Sequence, residues 1–219
     1  MLKKIPFLAI ICFLPLCCVG QTVRFSYEPG FGFYNLGRIK AMQHGFEQHT
    51  YSFPINAVEK FPNYLNHSMS LDFYLDKNTL FGFNAAFLTT GGRNYSSDYS
   101  GVYKLDMLLK AFQFGLESES LYNLTKKLDF YTNFKVGVIQ STLDVAESLI
   151  LYDLDNQSNS DQVVEYSYFV EPNVGFSYKL NKRIATKVGL GLNWDTGRIN
   201  RQLIYWSGLR TRIGITYSL

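Results

Sequence analysis

In the C-terminal stretch, Leu203 to Leu219, apolar residues alternate strictly with small, polar or cationic residues after the first few positions. Leu209 and Ile213 fall on one face of this stretch, whereas Arg210 and Arg212 fall on the other. Successive side chains of a β-strand point to opposite faces, so this period predicts a strand with one apolar surface. The stretch is also longer than the roughly 9–11 residues with which a tilted strand crosses a bilayer. It is therefore predicted to be the closing strand of a membrane β-barrel.

The same period recurs upstream and predicts seven further strands. Together with the last one they give an all-β fold, an eight-stranded antiparallel up-and-down transmembrane β-barrel. One segment, 105–118, has mixed parity. Phe112 and Phe114 point to the predicted outer face, but Met107 and Leu109 point the other way, which leaves a β-bulge or a shifted register open. The seven predicted strands are 23–34, 67–76, 80–89, 105–118, 128–139, 164–180 and 184–194.

The connections between the predicted strands alternate in length. Those at 36–65, 90–103, 141–162 and 195–202 are mostly long, and those at 76–79, 119–127 and 181–183 are shorter. Long external loops and short periplasmic turns are typical of membrane barrels. Within the first external loop, Leu36, Ile39, Met42 and Phe46 recur at helical spacing and predict a short amphipathic helix near 37–48. We expect that helix to cap a barrel mouth; a lipid or partner contact is the alternative.

The N-terminal residues 1–20 have the organisation of a secretory signal peptide. Lys3 and Lys4 precede an apolar run, and Gly20 offers a small residue at the cut. The mature barrel domain is then 21–219. An anchor helix, or a lipoprotein modified at Cys17 or Cys18, is the alternative. All three cysteines lie within 1–20, so the mature chain would contain no disulfide. Removing the two lysines reduces the formal charge from +3 to +1, and no basic run suggests binding to nucleic acid.

Charged residues fall in the middle of several predicted strands, on the face that carries glycine and other small residues. An eight-stranded barrel has an interior just wide enough for side chains, and large apolar residues from every strand would overpack it. Facing lipid, each mid-strand Lys or Arg would cost about 2–4 kcal/mol. A soluble lipocalin-type barrel with an apolar interior is therefore disfavoured. The predicted interior charge network consists of Glu28, Lys135, Glu171, Lys187, Arg210 and Arg212.

Two pairings are expected inside this network. Glu28 should approach Arg210 or Arg212, because the first and last strands must meet to close the barrel, and Lys135 should approach Glu171 on the adjacent strand. Such pairs would hold the lumen shut; a gated path for ions or protons is the alternative. Aromatic residues are predicted at both bilayer interfaces. They are Tyr166, Trp194 and Tyr205 at the loop end and Phe130, Tyr178 and Tyr217 at the turn end.

The last strand resembles the assembly signal of the small outer-membrane β-barrel proteins of the Bacteroidetes type. Gly214, Tyr217 and Leu219 fall at the alternate places of that signal. The stretch from Pro54 through Tyr64 and the segment 97–101 also look like external loops of that group. The resemblance implies a bacterial outer-membrane location, contact with outer-membrane lipid and a transient interaction with the barrel assembly machinery. A monomer is expected, and the resemblance is nearly silent on activity.

No catalytic, cofactor or metal site is predicted. The histidines are His44, His49 and His67, and residue 69, which shares the face of His67, is methionine rather than serine. A catalytic triad is therefore not expected, although lipid-modifying enzymes exist among such barrels. Calcium binding by Asp153, Asp155 and Asp161 is an alternative to a solvated acidic loop. The Tyr/Ser/Gly composition of 90–103 is typical of recognition loops.

These observations predict a small integral outer-membrane barrel with a closed lumen and a structural or surface-interaction role, adhesion included. A narrow pore for small solutes is the second interpretation, and a lipid-modifying enzyme is the third.

Overall fold

The computed structural model of the chain describes residues 22–33, 63–97, 99, 101–151, 157–195 and 204–219. The predicted signal peptide, the predicted helix at 37–48, His44 and His49, and most of the stretch from Pro54 to Tyr64 lie outside these residues. Among the described residues, no helix is long and apolar enough to span a membrane.

Eight antiparallel strands form one closed ring, in which every strand pairs with its neighbours in sequence and β8 pairs with β1. The predicted fold class is thereby confirmed. The strands are β1 Val23–Gly32, β2 Tyr64–Tyr74, β3 Thr79–Ser97, β4 Gly101–Asn123, β5 Leu128–Leu151, β6 Gln157–Lys179, β7 Ile184–Asp195 and β8 Gly208–Ser218.

The three short connections, after β2, β4 and β6, close in the same way. In each, the side-chain oxygen of a residue early in the turn accepts backbone N–H groups two and three residues later. Asp76 accepts from Asn78 and Thr79 at 2.7 and 2.8 Å. Thr125 and Asn181 do the same in the other two turns. Asp, Asn and Thr favour such turns because their short side chains substitute for a backbone acceptor.

The outer surface of the barrel is apolar around its circumference. Large apolar side chains point outward and are exposed, as a lipid-facing surface requires, since the bilayer core offers no hydrogen-bond partners. β7 and β8, with 12 and 11 residues, suit a bilayer crossing of roughly 9–11 residues. This architecture, with an even number of strands, is that of the outer-membrane barrels. The outward residues include Phe25, Phe31, Met69, Leu71, Phe87, Phe112, Phe114, Phe134, Val138, Val174, Val188, Leu190, Ile213 and Ile215.

Strands β3 to β6 are much longer than predicted, with 19, 23, 24 and 23 residues. The prediction of loops at 90–103 and 141–162 was wrong for most of both segments. β3 and β4 remain paired up to Ser97 and Val102, and β5 and β6 up to Leu149 and Gln157. Alternation continues through these segments, but polar residues such as Arg93, Asp106 and Asp144 now occur among the outward ones. The apolar pattern that marks a lipid-facing strand is therefore lost although the strand continues.

The mixed parity of β4 also arises because the strand continues beyond the lipid-facing region. Met107 and Leu109 point inward and are buried, whereas Leu108 between them is 39% exposed. β4 pairs with β5 without interruption from Gly101 to Asn123, so neither a bulge nor a register shift occurs in this pairing. The apolar face of β4 changes sides because the strand passes from a lipid-facing to a water-facing environment. Sequence periodicity shows that the apolar face changes sides, but it does not show that a change of environment is the cause.

Candidate functional site

The interior of the barrel next to the short turns is lined by ionisable side chains and is here called the lower lumen. Five cationic and six anionic side chains are buried there. The sixth anion, Asp129, pairs at 2.7 Å with the partly exposed Lys179, so the formal charges balance. Eight strands enclose only enough space for side chains, and this space is occupied by the long ends of these residues. The buried cations are Arg24, Lys135, Lys187, Arg210 and Arg212, and the buried anions are Glu28, Asp72, Glu117, Glu119, Asp129 and Glu171.

One chain of ion pairs crosses the lower lumen from β2 to β1, β4 and β7. Arg24 lies 2.8 Å from Asp72 and 2.7 Å from Glu119. Lys187 continues the chain, at 2.6 Å from Glu119 and 3.3 Å from Glu28. Arg24 and Glu119 thus each bridge two partners of opposite charge. Four strands that are distant in sequence are cross-linked through the axis of the barrel.

A second cluster lies around Glu171, which is fully buried. One carboxylate oxygen of Glu171 contacts Arg210 at 2.6 Å, and the other contacts Arg212. Arg210 also donates to the hydroxyl of Tyr64 at 2.5 Å and to Gln113 at 2.8 Å. Charge-assisted, multiply bonded guanidinium groups of this kind hold their geometry firmly. Glu171 therefore anchors β8 to β6 inside the barrel.

All six residues of the predicted charge network are buried in the lumen, but the pairings differ from those expected. Glu28 contacts Lys187 rather than Arg210 or Arg212. Lys135 contacts Glu117 at 3.1 Å, although Glu171 is also its register neighbour. Sequence reasoning considered only adjacent strands, whereas several contacts cross the lumen. It also missed five buried members that share the inward parity, namely Arg24, Asp72, Glu117, Glu119 and Asp129.

Glycines on β6 and β7 make room for a large polar side chain in the lower lumen. The ring of Tyr131 on β5 lies across Gly175 and Gly189, where a Cβ atom would collide with its hydroxyl. The Nζ atom of Lys187 lies 4.4 Å from the centre of the same ring, which is within cation–π range. The small residues of the inward face therefore accommodate the network rather than leaving an open channel.

Above the charges, toward the long hairpins, the interior is apolar and is here called the upper lumen. Its side chains are nearly all inaccessible, and they come from β2 to β6 and from the segment before β8. Trp206 and Tyr64 meet edge to face, with ring centres 5.0 Å apart. The residues of the upper lumen are Tyr64, Leu88, Tyr103, Leu105, Met107, Leu109, Ile139, Leu143, Leu149, Phe169, Ile204 and Trp206.

The segment 204–207 turns into the barrel mouth instead of continuing β8. The backbone N–H of Trp206 donates to Asp195 at 2.6 Å, and its carbonyl accepts from Asn193 at 3.1 Å. The indole N–H donates to the hydroxyl of Ser141 at 3.0 Å. The strand predicted from Leu203 therefore begins only at Gly208, because 204–207 bonds to β5 and β7 side chains and buries an indole. The lumen is thus filled by two layers, one of charges and one of apolar side chains.

Beyond the bilayer, the outer face of β3 to β6 is polar. The guanidinium of Arg93 lies 2.5 Å from Asp106, and this hydrogen-bonded carboxylate raises the pKa of Arg93 above its ordinary value. Lys110 contacts Asp144 at 3.0 Å. At the tip of the first of these hairpins, Tyr99 is 95% exposed. The hairpins therefore present a hydrated, charged and aromatic surface outside the apolar belt.

The residues predicted for the interfaces and for the assembly signal are placed as follows. Tyr166, Tyr178, Trp194 and Tyr217 point outward and are exposed, while Phe130 and Tyr205 are half-buried. Gly214 packs against Glu28 of β1, where a Cβ atom would be too close to the backbone of Tyr27. Leu219 is 75% exposed, and its N–H donates to the carbonyl of Val23 at 2.9 Å.

The histidine within the described residues faces the bilayer. The Nδ1 atom of His67 is 2.8 Å from the hydroxyl of Tyr27, and the two rings are stacked. Among the described residues, no group of three or more His, Cys, Asp or Glu side chains could hold a metal ion. Of the three residues weighed for calcium, Asp161 lies exposed on β6, and Asp153 and Asp155 lie outside the described residues.

No protein-family model matches the chain, and no curated protein matches it. Solved structures do match. Neisserial surface protein A is 9% identical with a TM-score of 0.46, covering 90% of this chain and 97% of that one. The N-terminal β-barrel domain of OprF from Pseudomonas aeruginosa is 7% identical with a TM-score of 0.44, covering 90% and 97%. The attachment invasion locus protein Ail of Yersinia pestis is 8% identical with a TM-score of 0.42, covering 91% and 97%. These similarities concern the fold alone.

Proposed function

We propose that this chain is an integral protein of the bacterial outer membrane whose closed barrel holds surface hairpins for interaction with other molecules. The observation that carries the proposal is the filled lumen. Balanced charges occupy the lower lumen, and apolar side chains occupy the upper lumen. The interior is therefore a packed, rigid core rather than an open channel. Its polar and aromatic display lies on β3 to β6 beyond the apolar belt.

A pore role finds little support in this arrangement. An ion crossing the barrel would have to pass both the paired charges around Glu171 and the apolar layer around Trp206 and Leu109, each of which is fully buried. We expect no stable single-channel steps when the purified protein is inserted into planar bilayers, with an open porin as the positive control. Sizeable and reproducible steps would overturn the closed-lumen proposal.

The proposal does not include an enzymatic role. The imidazole of His67 is engaged by the Tyr27 hydroxyl on the lipid-facing surface, and Met69 rather than a serine shares its face on β2. The proposal further includes transient engagement of the barrel assembly machinery by the C-terminal signal, Gly214, Tyr217 and Leu219, and a monomeric state in outer-membrane lipid.

The orientation of the hairpins can be tested directly, because no cysteine follows Cys18 in the sequence. A single cysteine can therefore be placed at either end of the barrel. On intact cells, a membrane-impermeant maleimide should label Tyr99→Cys at the tip of the β3–β4 hairpin. Lys126→Cys, in the exposed β4–β5 turn, should react only after the outer membrane is permeabilised. The reverse pattern would contradict a surface role for the long hairpins.

A further inference from the structure

The upper end of β6 has one strand partner instead of two within the described residues. β6 begins at Gln157, but its pairing with β7 extends upward only to Phe169 and Asp195. β5 pairs with β6 as far up as Gln157. All six residues of the segment Gln157–Gln162, here called the β6 edge, are exposed on both faces. The β6 edge is therefore an accessible side of a projecting hairpin.

The direction of the backbone groups along the β6 edge follows from one hydrogen bond. The N–H of Gln162 donates to the carboxylate of Asp161 at 2.8 Å and so points away from β5. In an antiparallel pair, residues that bond to the partner alternate with residues whose N–H and C=O point to the other side. The backbone groups of Ser158 and Ser160 consequently face the open side as well. A row of this kind is a template for another strand.

The charge that the β5–β6 hairpin itself contributes has one sign. The sequence between Lys135 and Lys179 contains seven acidic residues and no Lys, Arg or His. Of the acids near the edge, Asp144 is neutralised by Lys110, whereas Asp161 is exposed. A strand added here would therefore find open backbone groups beside the exposed carboxylate of Asp161.

We propose that the β6 edge binds an extended, cationic peptide segment of another extracellular protein by strand addition. Backbone hydrogen bonds would provide affinity, and lysine or arginine side chains would contact the acidic hairpin. A second copy of this chain fits less well, because edge-to-edge pairing would bring two acidic hairpins together, and like charges directly opposite each other destabilise a strand pair. The inference rests on the proposed surface location of the hairpins.

The probe is a short peptide of alternating lysine and valine, titrated against the full chain in lipid nanodiscs at low ionic strength. We expect binding, with increased protection of the Ser158 and Ser160 amides from hydrogen exchange. A peptide with the same charges but with N-methyl groups on alternate amides along one edge should bind at least about tenfold more weakly, because it cannot form the backbone ladder. Equal binding of the two peptides, or no binding of either, would overturn the proposal.

Ser160→Pro removes an N–H on the open side without removing a bond to β5, which a proline at a strand edge tolerates. We expect it to weaken the lysine–valine peptide about tenfold, whereas Ser160→Ala, which keeps the N–H, should bind as the natural chain does. Asp161→Asn should weaken binding and reduce its salt dependence. Correct folding of each variant is checked by the maleimide pattern of Tyr99→Cys. If that pattern holds and Ser160→Pro still binds fully, this inference fails while the proposed location stands.

The same preparations test whether a second copy of this chain occupies the β6 edge. Sedimentation of the chain without peptide should show a monomer. A dimer that Ser160→Pro dissociates would assign the β6 edge to a second copy and would overturn the heterologous partner.

Discussion

The lower lumen and the upper lumen are built on the same strands but have opposite chemistry. On β4, Glu117 and Glu119 point inward below, and Leu105 and Leu109 point inward above. The outer face is reversed, with Phe114 below and the Lys110 and Asp106 side chains above. The two regions therefore differ in what surrounds them rather than in backbone geometry, since β4 runs unbroken through both.

The comparison teaches that the solvent outside a barrel determines what its interior can be. Where lipid lies outside, the apolar residues occupy the outer face, and charged residues fill the interior. These charges must be paired, because an unpaired buried charge is strongly unfavourable. Where water lies outside, the outer face is polar and the interior gains stability from the hydrophobic effect in the ordinary way. The two regions should consequently respond differently to the same kinds of substitution.

The largest effect is expected in the lower lumen, from Glu171→Gln. This substitution leaves Arg210 and Arg212 buried without their common carboxylate partner. Breaking a buried pair by removing one member costs about 3–5 kcal/mol. The loss should appear as a lower free energy of unfolding in urea, measured by tryptophan fluorescence in lipid vesicles.

The matched control for that prediction is Asp106→Asn, which breaks the Arg93 pair outside the bilayer. The side chains of Arg93 and Asp106 are well exposed, at 64% and 40%. Because water screens this pair, the loss of stability should be small compared with that caused by Glu171→Gln. If both substitutions cost the same, the lower lumen would be hydrated rather than filled.

The next effect concerns the upper lumen, where two adjacent leucines of β4 provide a direct comparison. Leu109→Ala should lower the free energy of unfolding by about 2–5 kcal/mol, because it deletes a fully buried side chain. Leu108→Ala, at a position that is 39% exposed, should cost less than about 1 kcal/mol. Equal losses in urea unfolding would show that the upper lumen is not a packed core.

Much of this comparison was present in the sequence in incomplete form. The strand period gave the number of strands and the face of every residue in the lower region, since a single apolar face persists there. Met107 and Leu109 are exceptions to that single face, but periodicity assigns residues to faces without showing whether a face meets lipid, water or the lumen. Periodicity therefore leaves a bulge as an equal explanation, which the uninterrupted pairing of β4 with β5 excludes. The extension of β5 and β6 was missed for the same reason, because polar outward residues such as Asp144 and Gln162 resemble a loop.

The pairing of the interior charges could not be deduced in the same way. Parity places Glu28 and Lys187 inside, but their strands, β1 and β7, are not neighbours, and their contact depends on side chains that reach across the lumen. Likewise, the inward turn of Trp206 depends on acceptors from β5 and β7, Ser141 and Asp195. Contacts of this kind are set by rotamers and by barrel shear, which alternation in a sequence does not encode.

A third prediction sharpens the comparison on the outer face. Phe114→Lys places a cation against lipid at the level of the lower lumen, and it should cost about 2–4 kcal/mol if it lies near the bilayer midplane. Leu108→Lys places the same side chain two residues from Lys110, where the outer face is already polar, and should cost at most about 1 kcal/mol. Urea unfolding in vesicles measures both. Similar costs would mean that the bilayer extends further up β4 than the polar outer face indicates.

The smallest effect is expected at the turn end, outside both regions of the lumen. Hydrogen bonds from the Asn78 and Thr79 N–H groups hold the pKa of the Asp76 carboxyl below its ordinary value. A depressed carboxyl pKa contributes stability above the unfolded value of about 3.9 and loses it as the pH falls through the folded value. Exchange of the Asn78 and Thr79 amides, corrected for intrinsic chemistry, should therefore accelerate below about pH 4, and Asp76→Asn should remove this pH dependence.

Amide exchange in the turn can be compared with amide exchange beside the interior charges. Asp76 is solvent-exposed, so its titration should open only the β2–β3 turn, while amides of β4 beside Glu117 and Glu119 stay protected at the same pH. If instead those amides lose protection together with Asn78 and Thr79, the turn and the lower lumen unfold as one unit. The charged layer would then be coupled to the turn end rather than forming an independent rigid plug, and its separation from the apolar layer above would be weaker than the pairing of its charges suggests.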